Sequence, residues 1–174
     1  MGRISKVFQI VGYKNSGKTT LMKILIKELS SLHYRVGTIK HHGHGTKPPE
    51  IMEFNKDHVE HFKNGAFVSM VEGNQVGQLL FQSDQITLET IIEFYSVFSL
   101  DIILVEGYKK EAYPKIVLIR SEDDLHLLKS ITNILCVITH VDCRKKINGP
   151  YPCFLIKDKE KYIEWFFRTL EEKA

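Results

Sequence analysis

Residues 12–20 near the start of the chain read GYKNSGKTT and match the pattern G-x-x-x-x-G-K-[ST]. The stretch before them, residues 7–11, is apolar except for Gln9 and predicts a buried strand. Apolar residues at helical spacing follow and predict an amphipathic helix. Their positions are Leu21, Ile24, Leu25, Leu29 and Leu32. A strand, a glycine-containing loop and a helix in this order are the context in which this pattern binds phosphate groups.

The residue types of this loop suit dense negative charge. Side chains at Gly12 and Gly17 would obstruct the close approach of backbone N–H groups to phosphate oxygens. The first turn of the following helix adds unpaired N–H groups and the positive end of the helix dipole. Lys18 can reach the β- and γ-phosphates, and the Thr19 hydroxyl is a hard oxygen ligand suited to Mg²⁺. The nucleotide-binding residues predicted in the loop are Gly12, Asn15, Ser16, Gly17, Lys18, Thr19 and Thr20. The alternative is a glycine turn without a ligand.

Composition narrows the class of protein. A chain of 174 residues, 43% hydrophobic and 26% charged, is typical of a soluble globular protein, and we predict one domain over residues 1–174. The net charge of +3 does not by itself indicate a nucleic-acid partner. The three cysteines lack C-x-x-C spacing and indicate reduced thiols. No apolar stretch has the length of a membrane span and no signal peptide is recognisable, so we expect a cytoplasmic protein without a membrane partner.

Alternating strand and helix patterns predict an α/β protein with a P-loop NTPase-type three-layer fold. Further strands are predicted at residues 35–40, 101–105, 116–119 and 134–139. Helices are predicted at residues 57–64, 88–98 and 159–172. Because the strands are continuously apolar, we expect a mainly parallel sheet in which the first two strands pair. Residues 66–71 and 77–81 predict an antiparallel hairpin extension.

A second constellation lies at residues 101–108, where an apolar strand pattern ends in Glu106 and Gly107. Ligands bind beyond the carboxyl ends of the strands in open α/β sheets. An acid at this point in a protein with a phosphate-binding loop is suited to act on Mg²⁺, and Gly107 would let the backbone pass close to a nucleotide. The alternative is an exposed acid that ends a strand.

Residues 137–142 contain a partial guanine-binding pattern. Guanine-specific proteins with a phosphate-binding loop end a late strand in [NT]-K-x-D, whose carboxylate accepts hydrogen bonds from the base. Thr139 and Asp142 match this pattern, whereas His140 replaces the lysine. A strand-ending Asp142 without a ligand is the alternative interpretation.

Basic residues lie at the end of the second predicted strand, at Lys40, and in the loop of residues 41–50 that follows it, at His41, His42 and His44. Contact of Lys40 and His41 with an anion is the favoured interpretation, followed by a solvated loop and then a transition-metal site. Asp57, just beyond this loop, could orient Mg²⁺ or a water near the γ-phosphate, or could cap a short helix.

Several stretches together resemble the molybdopterin-guanine dinucleotide biosynthesis adaptor protein B family. They are residues 12–20, 36–41, 56–66, 101–109 and 115–120, and the resemblance covers most of residues 5–142 in the same order. The loop alone is common to very many proteins, whereas its combination with Ile39-Lys40-His41 and Val105-Glu106-Gly107 is much more specific.

The resemblance implies a homodimeric GTP-binding protein with weak hydrolysis. Such proteins assist the molybdenum cofactor guanylyltransferase that joins GMP to molybdopterin. It implies that Thr19 and Glu106 serve Mg²⁺, and that Asp57 and His41 lie at the active face. The predicted catalytic residues are Lys18, Glu106 and Asp57. The predicted nucleotide contacts outside the loop are Lys40, His41, Gly107 and Asp142.

Two other functions stay open at this point. A nucleotide-dependent metal-insertion chaperone would use His41, His42 and His44, but no cysteine pair stands near them. A small-molecule kinase would need an arginine-rich lid, and the few arginines of the chain are scattered.

Overall fold

The computed structural model describes residues 5–41, 56–82 and 86–172, in two compact units. The first unit comprises the described residues of Met1–His41 and Phe94–Ala174, and the second those of His42–Glu93. The single domain predicted over residues 1–174 stays a prediction. No helix in the described part of the chain is long and apolar enough to cross a membrane.

Eight strands and four α-helices are found in the described residues. In chain order they are β1 (Lys6–Gly12), α1 (Lys18–Ser31), β2 (Val36–Lys40), α2 (Lys56–Lys63), β3 (Val68–Gly73), β4 (Val76–Phe81), α3 (Leu88–Tyr95), β5 (Ile102–Glu106), β6 (Lys115–Ile119), β7 (Ile134–Thr139), β8 (Cys153–Leu155) and α4 (Lys159–Glu172). Short 3₁₀ helices cover Ser96–Phe98, Glu122–Lys129 and Arg144–Lys146.

The first unit contains a six-stranded, wholly parallel sheet in the order β2-β5-β1-β6-β7-β8. The predicted α/β fold with a mainly parallel sheet is confirmed. The expected direct pairing of β1 with β2 is wrong, because β5 lies between them and pairs with both. Sequence pattern gives the direction of these strands but not which distant strand separates them.

Each face of this sheet is covered by a separate apolar cluster. On one face, α1 and α4 pack on the strands, and the rings of Phe8 and Phe166 meet edge to face with centroids 5.2 Å apart. On the other face, Leu127 of the 3₁₀ helix and Ile131 pack on β6 and β7. Successive residues of β1 serve opposite clusters, Ile10 the first and Val11 the second, as the alternation of a strand requires. The three-layer arrangement therefore follows from strands that are apolar on both faces.

The strands on the two sides of β1 end at different levels. On one side, Glu106 ends β5 beside Ile10, and Lys40 ends β2 beside Glu106. On the other side, β6 pairs as far as Leu118 beside Gly12. The loop at residues 12–20 therefore leaves β1 two residues beyond the level at which Glu106 and Lys40 stand.

The second unit contains α2 and the predicted hairpin, in which β3 and β4 form an antiparallel two-stranded sheet of their own. Asn74 and Gln75 make the turn and both have positive φ, 49° and 67°, as a two-residue hairpin turn requires. The hairpin extension is confirmed, with strand bounds shifted by one or two residues.

Candidate functional site

The loop between β1 and α1 folds tightly over its own backbone. A Cβ on Gly12 would lie 2.4 Å from Ser16 Oγ and 2.8 Å from the Leu118 carbonyl oxygen, so only glycine fits there. Asn15 and Gly17 have positive φ, 62° and 95°. Ser16 is fully buried beneath the loop, and its hydroxyl has no hydrogen-bond partner in the described part of the chain.

Helix α1 begins directly after this loop with its N-terminus open. Gly17 is the N-cap residue, and among the described residues no side chain caps the helix by hydrogen bonding. The first turn carries no acidic residue, and Lys18 is its first member. The N–H groups and the positive dipole end are therefore available to an anion.

Lys18 folds back over the loop. Its Nζ donates to the carbonyl oxygens of Gly12, at 3.2 Å, and Tyr13, at 2.7 Å. Burial lowers the pKa of Lys18 below its ordinary value of 10.5; Glu106 opposes this shift, and Lys109 and Lys40 add to it. A bound phosphate would stabilise the charged amine that these surroundings disfavour.

The two residues predicted to hold Mg²⁺ are in contact. Thr19 Oγ1 donates to the Glu106 carboxylate, at 3.3 Å from each oxygen, although 87 residues separate them. Lys40 Nζ lies 3.8 Å from Glu106 Oε1. Hydroxyl and carboxylate oxygens are the ligands that Mg²⁺ prefers, so this donor set fits the ion.

These side chains surround a cavity of about 450 Å³. Its lining residues are Lys14, Asn15, Gly17, Lys18, Thr19, Thr20, Lys40 and Glu106. Seven of these eight were predicted as site residues. Lys14 was missed, although it stands inside the loop and its charge suits phosphate.

Gly107 and His41 meet beside this cavity rather than in its lining. Gly107 has a φ of 101°, and a Cβ there would lie 3.0 Å from the His41 Cβ. The backbone N–H of His41 donates to the Glu106 carbonyl at 2.9 Å, and its ring lies on Tyr108 with centroids 4.5 Å apart. The close backbone approach at Gly107 is therefore to His41, and a nucleotide contact by either residue stays a prediction.

The partial guanine pattern at the end of β7 adjoins the loop through His140. Its Nε2 donates to the Ser16 carbonyl at 2.9 Å. Asp142 is exposed and accepts two hydrogen bonds from the Arg144 guanidinium, at 2.8 and 2.7 Å. These hydrogen bonds lower the pKa of Asp142. A guanine bound by Asp142 would therefore meet a carboxylate that Arg144 already engages.

Three of the predicted residues lie outside the unit that contains this cavity or outside the described residues. Asp57 lies in the first turn of α2, in the second unit, and its catalytic role stays a prediction. His42 and His44 fall outside the described residues. Within residues 5–41, 56–82 and 86–172, no three metal-binding side chains come together.

Two buried polar side chains hold the connection between β5 and β6, which the sequence did not reveal as a feature. Gln9 and Lys115 are register partners and are fully buried. Gln9 Nε2 donates to the carbonyls of Gly107, at 3.1 Å, and Tyr108, at 2.6 Å. Lys115 Nζ donates to the Tyr113 carbonyl at 2.9 Å and to that of Glu111. The signal in the sequence that could have indicated this arrangement is the presence of a glutamine and a lysine within otherwise apolar strands.

Comparison with known proteins gives a consistent result. The family model described as molybdopterin guanine dinucleotide synthesis protein B matches residues 7–140. The chain is 38% identical over 132 residues to the probable molybdopterin-guanine dinucleotide biosynthesis adapter protein of Bacillus subtilis, covering 76% of this chain and 75% of that protein. It is 31% identical to the adapter protein of Haemophilus influenzae over 75% of this chain and 72% of that protein.

Solved structures show the same likeness. The chain is similar to a MobB protein homolog from Bacillus stearothermophilus, with a TM-score of 0.76 and 35% identity over 95% of this chain and 98% of that one. It is also similar to Bacillus subtilis MobB, with a TM-score of 0.77 and 33% identity over 90% and 93% of the two chains.

Proposed function

This chain belongs to the molybdopterin guanine dinucleotide synthesis protein B family, and we propose that it is a GTP-binding adaptor with weak GTPase activity that assists guanylyl transfer to molybdopterin. The observation that carries the nucleotide part is the contact of Thr19 with Glu106 beside Lys18, at the open N-terminus of α1. A phosphate-binding loop and an adjacent hard-oxygen pair are what a Mg²⁺–triphosphate ligand needs.

Different residues of the cavity would bind the phosphates and the metal ion. Lys18 and the N–H groups of α1 neutralise the phosphates, while Thr19 and Glu106 hold Mg²⁺. Bound there, Mg²⁺ would supply neutralisation of the phosphate charge. Lys14 and Lys40 add two further positive charges to the cavity wall. The site therefore suits a ligand with several negative charges.

The residues that line the cavity support weak hydrolysis. Among the described residues, no arginine lines the cavity. An arginine at the transferring phosphate is worth about 10³- to 10⁵-fold in rate in proteins of this class. Asp57 is our candidate for orienting the attacking water. The chain accordingly suits a role in which nucleotide binding matters more than turnover.

Base selectivity is assigned to the segment after β7. Thr139 ends the strand, Asp142 follows three residues later, and His140 ties the segment to the loop through the Ser16 carbonyl. This connection supports GTP as the ligand, because it places the partial guanine pattern next to the phosphate-binding loop.

The adaptor role implies protein partners. We propose a homodimer that engages the molybdenum cofactor guanylyltransferase in the cytoplasm, with molybdopterin as a second ligand. The exposed apolar side chains of the hairpin, Val68, Met70 and Val76, support the homodimer. A Met70→Glu variant tests the homodimer, because a charge on this apolar surface should prevent association. The loss of the dimer would be measured by sedimentation velocity.

The proposal is tested by competition between GTP and ATP for the whole chain in the presence of Mg²⁺. We expect the parent to prefer GTP, and Asp142→Ala to lose that preference while still binding both nucleotides. Lys18→Ala should abolish binding of either nucleotide. A parent that prefers ATP would remove the guanine argument, and an unchanged GTP affinity in Lys18→Ala would refute the phosphate site.

A further inference from the structure

A lysine outside the predicted site lies against the phosphate-binding loop. Lys109 Nζ sits over the ring of Tyr13, 4.1 Å from the ring centroid. Tyr13 is the residue after Gly12, and its carbonyl accepts the hydrogen bond from Lys18 Nζ. One loop residue therefore holds two lysines, Lys18 on its carbonyl and Lys109 on its ring.

The Tyr13 ring is itself fixed in position. Its hydroxyl donates to His126 Nε2 at 2.6 Å, and the two rings lie 5.5 Å apart. His126 Nδ1 donates to the Asp123 carbonyl, which leaves Nε2 free to accept. Lys109 thus rests on a side chain that the 3₁₀ helix at Glu122–Lys129 keeps in place.

The backbone that carries Lys109 is also fixed. Gln9 and Lys115 bind four carbonyls of the connection between β5 and β6, two before Lys109 and two after it. Lys109 stands three residues beyond Glu106, at the same end of the sheet as the cavity. Only its side chain has to move for the amine to change partners.

The surroundings of Lys109 favour an additional anion. Burial lowers the pKa of Lys109, and Asp124 opposes that shift. Lys109 in turn acts on Lys18 to lower its pKa, so the two amines repel each other. The attraction between a cation and an aromatic ring is modest, and a charge-assisted hydrogen bond from the amine to a phosphate is a stronger interaction. A phosphate between the two lysines would remove their repulsion.

We propose that Lys109 is a second phosphate-binding lysine, which leaves the Tyr13 ring to contact the terminal phosphate of a bound nucleoside triphosphate. This rests on the proposed function only in that the loop binds a nucleoside triphosphate, whichever base it carries. The terminal phosphate is the expected partner because Lys109 shares Tyr13 with Lys18, the residue proposed to reach the β- and γ-phosphates.

With Lys109 at the terminal phosphate, a cavity that no described arginine lines would distinguish a triphosphate from a diphosphate. Lysine is a point charge on a flexible stem, so it can move from ring to phosphate without backbone change. Loss of the γ-phosphate would return Lys109 to Tyr13.

Calorimetry of the whole chain with Mg²⁺ tests this, using GTP, GDP, ATP and ADP as probes at one ionic strength. Lys109→Met should weaken the triphosphate that the parent binds roughly tenfold, because one charged hydrogen bond is lost, and the matching diphosphate less than about twofold. Lys109→Arg should stay close to the parent. The matched control is Lys110→Met, which removes an exposed lysine one residue away and should change neither affinity.

A second variant separates binding from structural support. Tyr13→Leu removes the ring but keeps the carbonyl that Lys18 uses, so triphosphate affinity should be retained or rise. Equal weakening of triphosphate and diphosphate by Lys109→Met, or no weakening, would overturn the proposal. A parent that prefers ATP would refute the guanine assignment alone, because the ATP and ADP pair then decides the role of Lys109. A parent that binds neither triphosphate would refute both proposals.

Discussion

His140 donates a hydrogen bond from Nε2 to the carbonyl oxygen of Ser16, 2.9 Å away and 124 residues earlier in the chain. The same imidazole nitrogen would lie 3.4 Å from a Cβ on Gly17. The segment proposed to select the base is thereby attached to the loop proposed to bind the phosphates. We therefore expect binding at one end of the ligand to be coupled to the position of the other end.

His140→Ala should lower GTP affinity about fivefold, since one hydrogen bond that holds the Thr139–Asp142 segment against the loop is lost. His140→Lys retains a donor and should keep most of the affinity. Titration calorimetry of the three proteins checks this. Parental affinity in His140→Ala would show that the link is dispensable.

Glu106→Gln should reduce the dependence of nucleotide binding on Mg²⁺. The amide keeps a hydrogen-bond acceptor for Thr19 but removes the charge that suits the ion, and Lys40 loses its ionic partner. We expect the ratio of GTP affinities with and without Mg²⁺ to fall at least about tenfold. Glu160→Gln, on the exposed face of α4, is the matched control. An unaltered ratio would remove Glu106 from the metal site.

Lys115→Met should destabilise the protein by about 2 kcal/mol, because the carbonyls of Glu111 and Tyr113 lose a charged donor in a buried position. Burial lowers the pKa of Lys115, so removal of the charge offsets part of this loss. For a chain of this size the melting temperature should fall by roughly 6 °C, measured by calorimetry beside exposed Lys129→Met. A melting temperature equal to that of the parent would mean that the two hydrogen bonds contribute nothing net.

Cys153 should react slowly with thiol reagents at pH 8. Burial, with Cys143 nearby, raises the pKa of Cys153 from 9.0 to about 11, while Arg144 opposes the shift. The thiolate is the reactive form, so only about one thousandth of the thiol is active at pH 8, and the rate should increase up to about pH 11. The rate is obtained by measuring the pH profile of thiol modification in the native protein and subtracting the profile of the Cys153→Ser variant. A plateau near pH 9 would contradict the raised pKa.

The residues that line the cavity were largely predictable because the patterns that indicate them are local. The spacing in residues 12–20 specifies the loop, and an acid after an apolar strand indicates Glu106. Their contact across 87 residues is what a shared Mg²⁺ ligand would require. By contrast, the position of β5 between β1 and β2 depends on pairing of distant strands, which a single sequence does not encode visibly.

Other features were missed for identifiable reasons. The 3₁₀ helix at Glu122–Lys129 has a capping box, Ser121 with Asp124, that stands in the sequence, but the helical apolar periodicity that would have supported it is weak. Strand β8 has three residues, too few for a pattern. Arg144 lies two residues after Asp142, and only the structure shows that its guanidinium engages the carboxylate at both oxygens.

The strands on the two sides of β1 stop pairing with it two residues apart, so the end of the sheet has a step beside β1. At about 3.3 Å per residue, Glu106 and Lys40 lie roughly 6.6 Å below Gly12 and Leu118 along the strand direction. Lengthening β5 by two residues would fill this step with backbone. A two-residue insertion after Glu106 should therefore abolish nucleotide binding even with every side chain of residues 12–20 intact.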